Sequence, residues 1–391
     1  MRLGAVLVAS TLLAISCGQA LPRANGSDTA SSAALTGPTA LVASPTVAAP
    51  ASPAPVVDAY GLLLFAGSLA MVKPTGEIGP TVPVSSATLQ MCSSGLSALL
   101  EPPVSATLDK VFFRDGDTRI RFLTPTGQVG DATTVPGSAS SVSFFSVSPD
   151  DQRIAVLVED FSAASTIGLR LYVEDLTGGG HHADIYSTTT PKGPTGATLW
   201  PMGWHQGELV LASIATCSND SPRNIRPLEW HLADPATGNR LVTIKGSCAL
   251  SSWPSAAGVA CIQSNYQASV FDWTGKVTFN LQPPTPYQDL LWQSGLSPSG
   301  QATFFSSQDY CGDLCPGNYT YVQGSLTQGG VQVARETDHP PACLWIDETH
   351  LLSRNGVIAL QSDQPFGNIE TRFPRAELAP AGFQGDSDFG A

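Results

Sequence analysis

The chain has 391 residues, of which only 13% are charged, with 37 glycines, 31 prolines and a net charge of −13. That acidic balance speaks against nucleic acid or an anionic membrane surface as a partner, since both require a basic patch. The wealth of Gly and Pro, with few sustained 3.6-residue apolar periods, argues against a helical body and for short strands joined by frequent turns.

Residues 1–16 begin with Arg2, continue through the apolar run Leu3–Ile15 and end on a small residue before Cys17. A basic start, an apolar middle and a small-residue cleavage point make a secretory signal. The run is too short for a bilayer span of about 20 residues. Ala14-Ile15-Ser16-Cys17 resembles the lipobox of bacterial lipoproteins, with Ala14 where that box usually has Leu. The resemblance implies cleavage before Cys17, acylation of its thiol and a place in the cell envelope facing outside the cytoplasm. Two or three acyl chains anchor firmly, whereas one binds only marginally. An ordinary signal peptide that happens to end at a cysteine is the alternative. The rest of 17–56 is mostly Ala, Ser, Thr, Pro and Gly, with almost no charge and no aromatic residue. It cannot bury enough surface to offset the entropy of ordering. Pro45, Pro50, Pro53 and Pro55 argue against a helix there. The segment reads as a disordered tether with a reach of about 35 Å.

Residues 57–391 read as one all-β domain. A glycine, usually preceded by threonine, recurs every 37 to 60 residues, at Gly76, Gly127, Gly178, Gly238, Gly275 and Gly329. Repeats near 40–50 residues with about four strands each are the signature of propeller blades. Glycine supplies the positive φ that a tight hairpin needs. The clearest unit runs from Ser143 through Ser148-Pro149-Asp150 to Leu171-Tyr172-Val173-Glu174-Asp175-Leu176-Thr177-Gly178, echoed by Leu296-Ser297-Pro298-Ser299-Gly300. It resembles the WD40-like blade of TolB-type propellers, which implies a β-propeller fold and no particular activity.

Innermost strands are expected at Leu96–Leu100, Ser143–Val147, Leu199–Trp204, Leu250–Pro254, Leu290–Leu296 and Cys343–Asp347. Residues 58–84 supply only three strands, and 378–386 echo 199–208, so a C-terminal strand is expected to complete the first blade and remove free edges. The expected count is seven blades, or six if the unit 239–275 merges with a neighbour. Trp200, Trp253, Trp292 and Trp345 occupy matching places and read as packing between blades rather than as a ligand stack.

Export permits disulfides. Cys217 follows a second strand and Cys248 precedes the next inner strand on the same face, which pairs them. The same relation pairs Cys311 or Cys315 with Cys343, with Cys311–Cys315 as the rival. Cys92 is left without an assigned partner, and Cys261, in an apolar strand, is expected to be a buried free thiol. No zinc pattern accompanies the cysteines.

The loops after the second strands, Asp160–Thr166, Ala215–Arg226 and Ser306–Asn318, are long, whereas the Ser-Pro-Asp and Thr-Gly turns opposite are tight. The long-loop face is the candidate ligand face. Its candidate contacts are Asp160, Phe161, Asp220, Arg223, Arg226, Asp309, Tyr310 and Asp313. Solvated loops without a special role are the blander reading.

Chemistry is sparse. His181 and His182 are adjacent on a strand and should point apart, so they cannot easily share an ion, and the same holds for Asp347 and Glu348. Arg114-Asp115-Gly116-Asp117 resembles a calcium-loop fragment without the remaining ligands and reads as a hairpin turn. No catalytic motif, cofactor fingerprint or metal site emerges. The expected function is a membrane-anchored module that binds a protein or glycan of the envelope. The alternative is a propeller enzyme (a lyase, cyclase or glycan hydrolase) acting at the channel mouth.

Overall fold

The computed structural model describes residues 60–359 except 66, 89, 93–96, 99–103, 108, 219–226, 246–254, 256, 263–267, 282–290, 297–301, 308–317, 326–328, 336–341, 348 and 354–355. Cys17, the tether and the expected closing strand at 378–386 lie outside these residues.

The described residues form antiparallel meanders in chain order. Sheet I comprises β1 (Gly61–Phe65), β2 (Ser68–Val72) and β3 (Ile78–Pro83). A short β4 (Ser97–Ala98) precedes sheet II, built from β5 (Val104–Ala106), β6 (Val111–Asp115), β7 (Arg119–Leu123) and β8 (Val129–Thr134). Sheet III holds β9 (Ser141–Val147), β10 (Arg153–Asp160), β11 (Thr166–Asp175) and β12 (Ala183–Pro191). Sheet IV holds β13 (Ala197–His205), β14 (Glu208–Ala215), β16 (Glu229–Ala233) and β17 (Arg240–Lys245), with β15 (Cys217–Ser218) leaving it after β14. Sheet V has β18 (Val259–Ile262), β19 (Ala268–Phe271) and β20 (Val277–Leu281). Sheet VI has β21 (Leu291–Leu296), β22 (Ala302–Ser307), β23 (Asn318–Ser325) and β24 (Gly329–Arg335). Sheet VII has β25 (Ala342–Trp345), β26 (His350–Ser353) and β27 (Gly356–Ala359).

Each sheet packs on the next. The first strands of sheets II, III and IV lie side by side, and so do those of sheets V, VI and VII. Consecutive meanders stacked through their first strands are the architecture of a β-propeller, with four complete four-stranded blades among the described residues. The expected inner strands Ser143–Val147, Leu199–Trp204, Leu290–Leu296 and Cys343–Asp347 overlap β9, β13, β21 and β25. The expectation at Leu96–Leu100 is corrected. Sheet II begins at Val104, and Ser97–Ala98 pair instead with Cys217 and Ser218. Leu250–Pro254 lie outside the described residues.

Inner strands of sheet III are buried on both faces, so polar/apolar alternation is lost there. In β9, every residue from Val142 to Val147 is buried. Val142 and Phe144 join one apolar cluster, with Trp200, Ile214 and Trp230 of sheet IV. Phe145 and Val147 join another, with Phe112 and Ile120 of sheet II. The rings of Phe144 and Trp200 stack at 5.2 Å and 28°, so Trp200 packs one sheet on the next, as expected. Sheets II and III are also joined by polar contacts. The Val147 amide donates to Ser105 Oγ at 2.9 Å, Arg114 donates to the Ser143 carbonyl, and Lys110 pairs with Asp151.

The recurring glycines at 76, 127, 178, 238 and 275 sit in the turn before the last strand of their sheets. The amides of Lys73, Thr124 and Asp272 donate to the carbonyls four residues on, and Gly76, Gly127 and Gly275 donate back. Those glycines take φ of +80°, +86° and +81°, as the sequence repeat predicts. At Gly238, φ is +71° and a Cβ would also collide with the Ile185 carbonyl of sheet III. Gly76 has open space around the same conformation. Gly76→Ala is therefore expected to cost roughly 1–2 kcal/mol for the left-handed backbone alone. Gly238→Ala should cost more, because sheet III must also move. Urea unfolding midpoints of the two variants check the ranking.

Candidate functional site

The segment that leaves sheet I does not enter sheet II directly; it crosses the loops between second and third strands. The Ser85 amide donates to Asp115 Oδ1 at 2.8 Å, and the Gly116 amide returns a bond of 2.8 Å to the Ser85 carbonyl. Thr88 gives both its amide (2.6 Å) and its hydroxyl (3.0 Å) to the Asp117 carboxylate. Arg114-Asp115-Gly116-Asp117 is thus the β6–β7 hairpin, as expected, and its two acids hold this strap rather than an ion. Burial works against ionisation of Asp115. The Ser85 amide and the guanidinium groups of Arg119 and Arg121 nevertheless hold its carboxyl below the usual range.

Further along, Gln90 is buried and Met91 is 54% exposed. Cys92 sinks into the apolar cluster of sheets III and IV beside Val142 and Phe161, and forms a disulfide with Cys217. Its Cα lies 6.1 Å from that of Cys217, across a separation of 125 residues. The pairing of Cys217↔Ala98 and Ser218↔Ser97 then fastens the strap to β15. The strap therefore meets the second-to-third-strand loops of sheets II, III and IV in succession, on the face that carries the long loops.

Two cysteine expectations are corrected. Cys217 pairs with Cys92 and not with Cys248, because the strap reaches back over two whole sheets. Cys261 is disulfide-bonded rather than a free thiol, its other half lying outside the described side chains. The side chains of Cys248, Cys311, Cys315 and Cys343 are outside the described set. The signal for Cys92 was available: residues 84–103 are too long for a blade connection and contain a cysteine with no assigned partner.

Of the candidate contacts, Asp160 is exposed and its carboxylate accepts from the Ser162 amide at 2.9 Å, fixing the start of the loop. Phe161 is buried in the core, its amide bonded to the Ser140 carbonyl and its own carbonyl accepting from Lys192 Nζ at 2.9 Å. Its ring packs the joint rather than facing a ligand. Asp220, Arg223, Arg226, Asp309, Tyr310 and Asp313 lie outside the described residues.

Beneath the disulfide sits a group that sequence reasoning missed. Glu159, in the row of β10 that pairs with Val142 and Leu169, is fully buried. Neither of its carboxyl oxygens makes a hydrogen bond with a described residue, and the buried hydroxyls of Thr198 and Thr216 are also unpartnered. Thr198 pairs with Ile214, so Thr216 is its diagonal neighbour on the same face of sheet IV. Burial pushes the Glu159 carboxyl up to about 8, against a smaller opposing pull from the Thr198 hydroxyl. A Glu between Val158 and Asp160 at the end of a strand gives no sign of burial in sequence. Only the two-sided burial of β10 reveals it.

The remaining titratable features are occupied structurally. His181 Nδ1 pairs with Asp175 (2.9 Å) and His182 Nδ1 with Glu174 (2.7 Å), so the adjacent histidines engage different acids. Asp347 caps the β25–β26 turn, accepting the amides of Thr349 (2.7 Å) and His350 (2.9 Å). No group of three or more His, Cys, Asp or Glu able to hold a metal occurs among the described residues.

No family model and no curated protein matches the chain. Solved structures similar to it include Porphyromonas gingivalis dipeptidyl peptidase 4, at 9% identity and a TM-score of 0.42, covering 76% of this chain and 48% of that one. The chain thus spans about half the length of that peptidase. BamB from Moraxella catarrhalis is 14% identical with a TM-score of 0.37, covering 78% of this chain and 86% of BamB. The Dos1 propeller is 12% identical with a TM-score of 0.38, covering 75% of this chain and 72% of that structure. The propeller assignment rests on the chain's own strand order and repeated turns.

Two predictions test the strap and the buried acid. Replacing both Cys92 and Cys217 by serine should lower stability by about 2–5 kcal/mol, because the bond closes a long loop in the unfolded chain; denaturant midpoints measure it. For Glu159, the folded chain keeps its proton up to about 8 whereas the ordinary value is 4.5. Between those values the unfolded state binds fewer protons, so stability falls as pH rises, at up to about 1.4 kcal/mol per pH unit. Glu159→Gln should match the parent near pH 4 and exceed it increasingly toward pH 8 in thermal melts.

Proposed function

We propose that the chain is a membrane-anchored lipoprotein whose propeller binds a protein or glycan of the cell envelope through the strapped face. The observation that carries this reading is the asymmetry of the body. On one face, loops of three successive sheets are crossed by a strap and fixed by the Cys92–Cys217 bond. On the other, repeated glycine turns are as short as the strands allow. Ordering loops before binding removes an entropic cost that a partner would otherwise have to offset. A stapled face is therefore suited to recognition, and the acidic chain to partners other than nucleic acid.

In the same reading, sheets I, V and VII are blades of a seven-bladed ring, and the C-terminal strand 378–386 completes the first of them. Cys17 carries the acyl chains and residues 18–56 hold the body away from the bilayer. The Ser/Thr/Pro composition of that segment supports the tether, and the Ala14-Ile15-Ser16-Cys17 motif supports the anchor.

Both parts are open to direct test. The parent protein expressed in a bacterial host should incorporate radiolabelled fatty acid and sediment with membranes. Cys17→Ser should do neither; labelling of that variant would sink the anchor. For the face, a photo-crosslinking side chain placed at Met91 on the strap should give adducts with an envelope component. The same group at Ile78, 43% exposed beside a glycine turn of the opposite face, should not. Equal adducts at both positions count against the strapped face.

A further inference from the structure

Glu159 is a fully buried acid whose carboxyl oxygens make no hydrogen bond with a described residue, and its position suggests why it is there. Glu159 is one residue before Asp160 and two before Phe161, at the end of β10 beneath the strap. Thr216, facing the same joint from sheet IV, is followed directly by Cys217 of the strap disulfide. The joint between sheets III and IV thus closes at its loop end on one carboxyl, two unpartnered hydroxyls and the disulfide.

Among the described residues no charged partner is built in to receive a carboxylate there. On β9 and the described strap there is no titratable group besides the bonded Cys92. On β11, Arg170 pairs with Val158 and Glu174 with Ile154, which turns both, with Tyr172, to the other face of sheet III. Arg153 and Asp175 stand at the far end of β10 and β11, and His205 and Glu208 at the far end of β13 and β14. Lys192, on the neighbouring loop, gives its ammonium to the carbonyls of Phe161 and Ala163. Among the described residues the Thr198 hydroxyl is what opposes the effect of burial on the carboxyl, and it is the smaller of the two influences. A carboxylate left in such surroundings must gain water or expel itself, since an unpaired buried charge is not tolerated.

We infer that this joint is a proton-controlled latch for the strapped face. With Glu159 neutral, sheets III and IV meet dry and the loops that begin at Phe161 and Thr216 stay seated. With Glu159 ionised, the joint opens at its loop end, admits water, and frees those loops and the strap end while the disulfide keeps the strap attached. The inference concerns the joint alone and holds whatever the face binds.

Amide hydrogen exchange of the oxidised full chain tests it. The Phe161 amide, bonded to Ser140, and the Thr216 amide, bonded to Gly196, report the joint; the Gly127 amide in a turn of sheet II is the control. After correction for intrinsic base catalysis, protection of Phe161 and Thr216 should fall at least tenfold between pH 6.5 and 9 in the parent. Glu159→Gln should keep it, and Gly127 should not respond in either. If parent and Glu159→Gln lose protection in parallel, the latch is wrong.

Discussion

The structure depends on one constraint: the inner strands of a sheet such as sheet III are buried on both faces and cannot exist without the neighbouring sheets. A strand such as β9, buried from Val142 to Val147, has no face to offer solvent. Phe144 and Trp200 on one side, and Phe145 with Phe112 on the other, make sheet III the shared wall of two cores. Stability of this kind accumulates from sheet to sheet, and every polar group that falls on a shared wall must be satisfied or neutral. Ser105 and Arg114 meet that requirement by bonding to the backbone of β9. Glu159 meets it only while it keeps its proton, and stands out for that reason.

The same constraint explains why one face of the body is elaborated. Sheets stacked through their walls leave only their ends free to vary. At the glycine end the turns are minimal and repeat the same two hydrogen bonds. At the other end the chain spends a whole inter-sheet segment on spanning three neighbours. Asp115 and Asp117 secure its start, the core beside Phe161 its middle, and Cys217 with β15 its far end.

Much of this was legible in the residues. Local turn chemistry is a short-range property, so the glycines at 76, 127, 178, 238 and 275 announced their positive φ. The Ser148-Pro149-Asp150 turn likewise forms between β9 and β10, with Ser148 Oγ donating to Asp150 at 2.6 Å. The all-β class and most inner strands followed from those markers. What could not be read is what depends on packing across sheets. Cys217 was paired with its neighbour in the repeat because spacing carries no information about a segment that skips sheets. Phe161 looked like a loop residue, and Glu159 like a strand end, because sequence shows neither the strap above them nor sheet IV beside them.

The Cys92–Cys217 bond also has a mechanical meaning. It joins the exit of sheet I to β15, directly after the second strand of sheet IV, so sheets II and III and the first two strands of sheet IV lie inside a covalent loop with a sequence separation of 125. A pull on the two ends of the chain is carried across the bond and never reaches them. At about 3.3–3.6 Å per extended residue, some 400 Å of chain is withheld from stretching until the bond is reduced. Under load the oxidised body thus has a sheltered segment and an unsheltered one, divided at the strap.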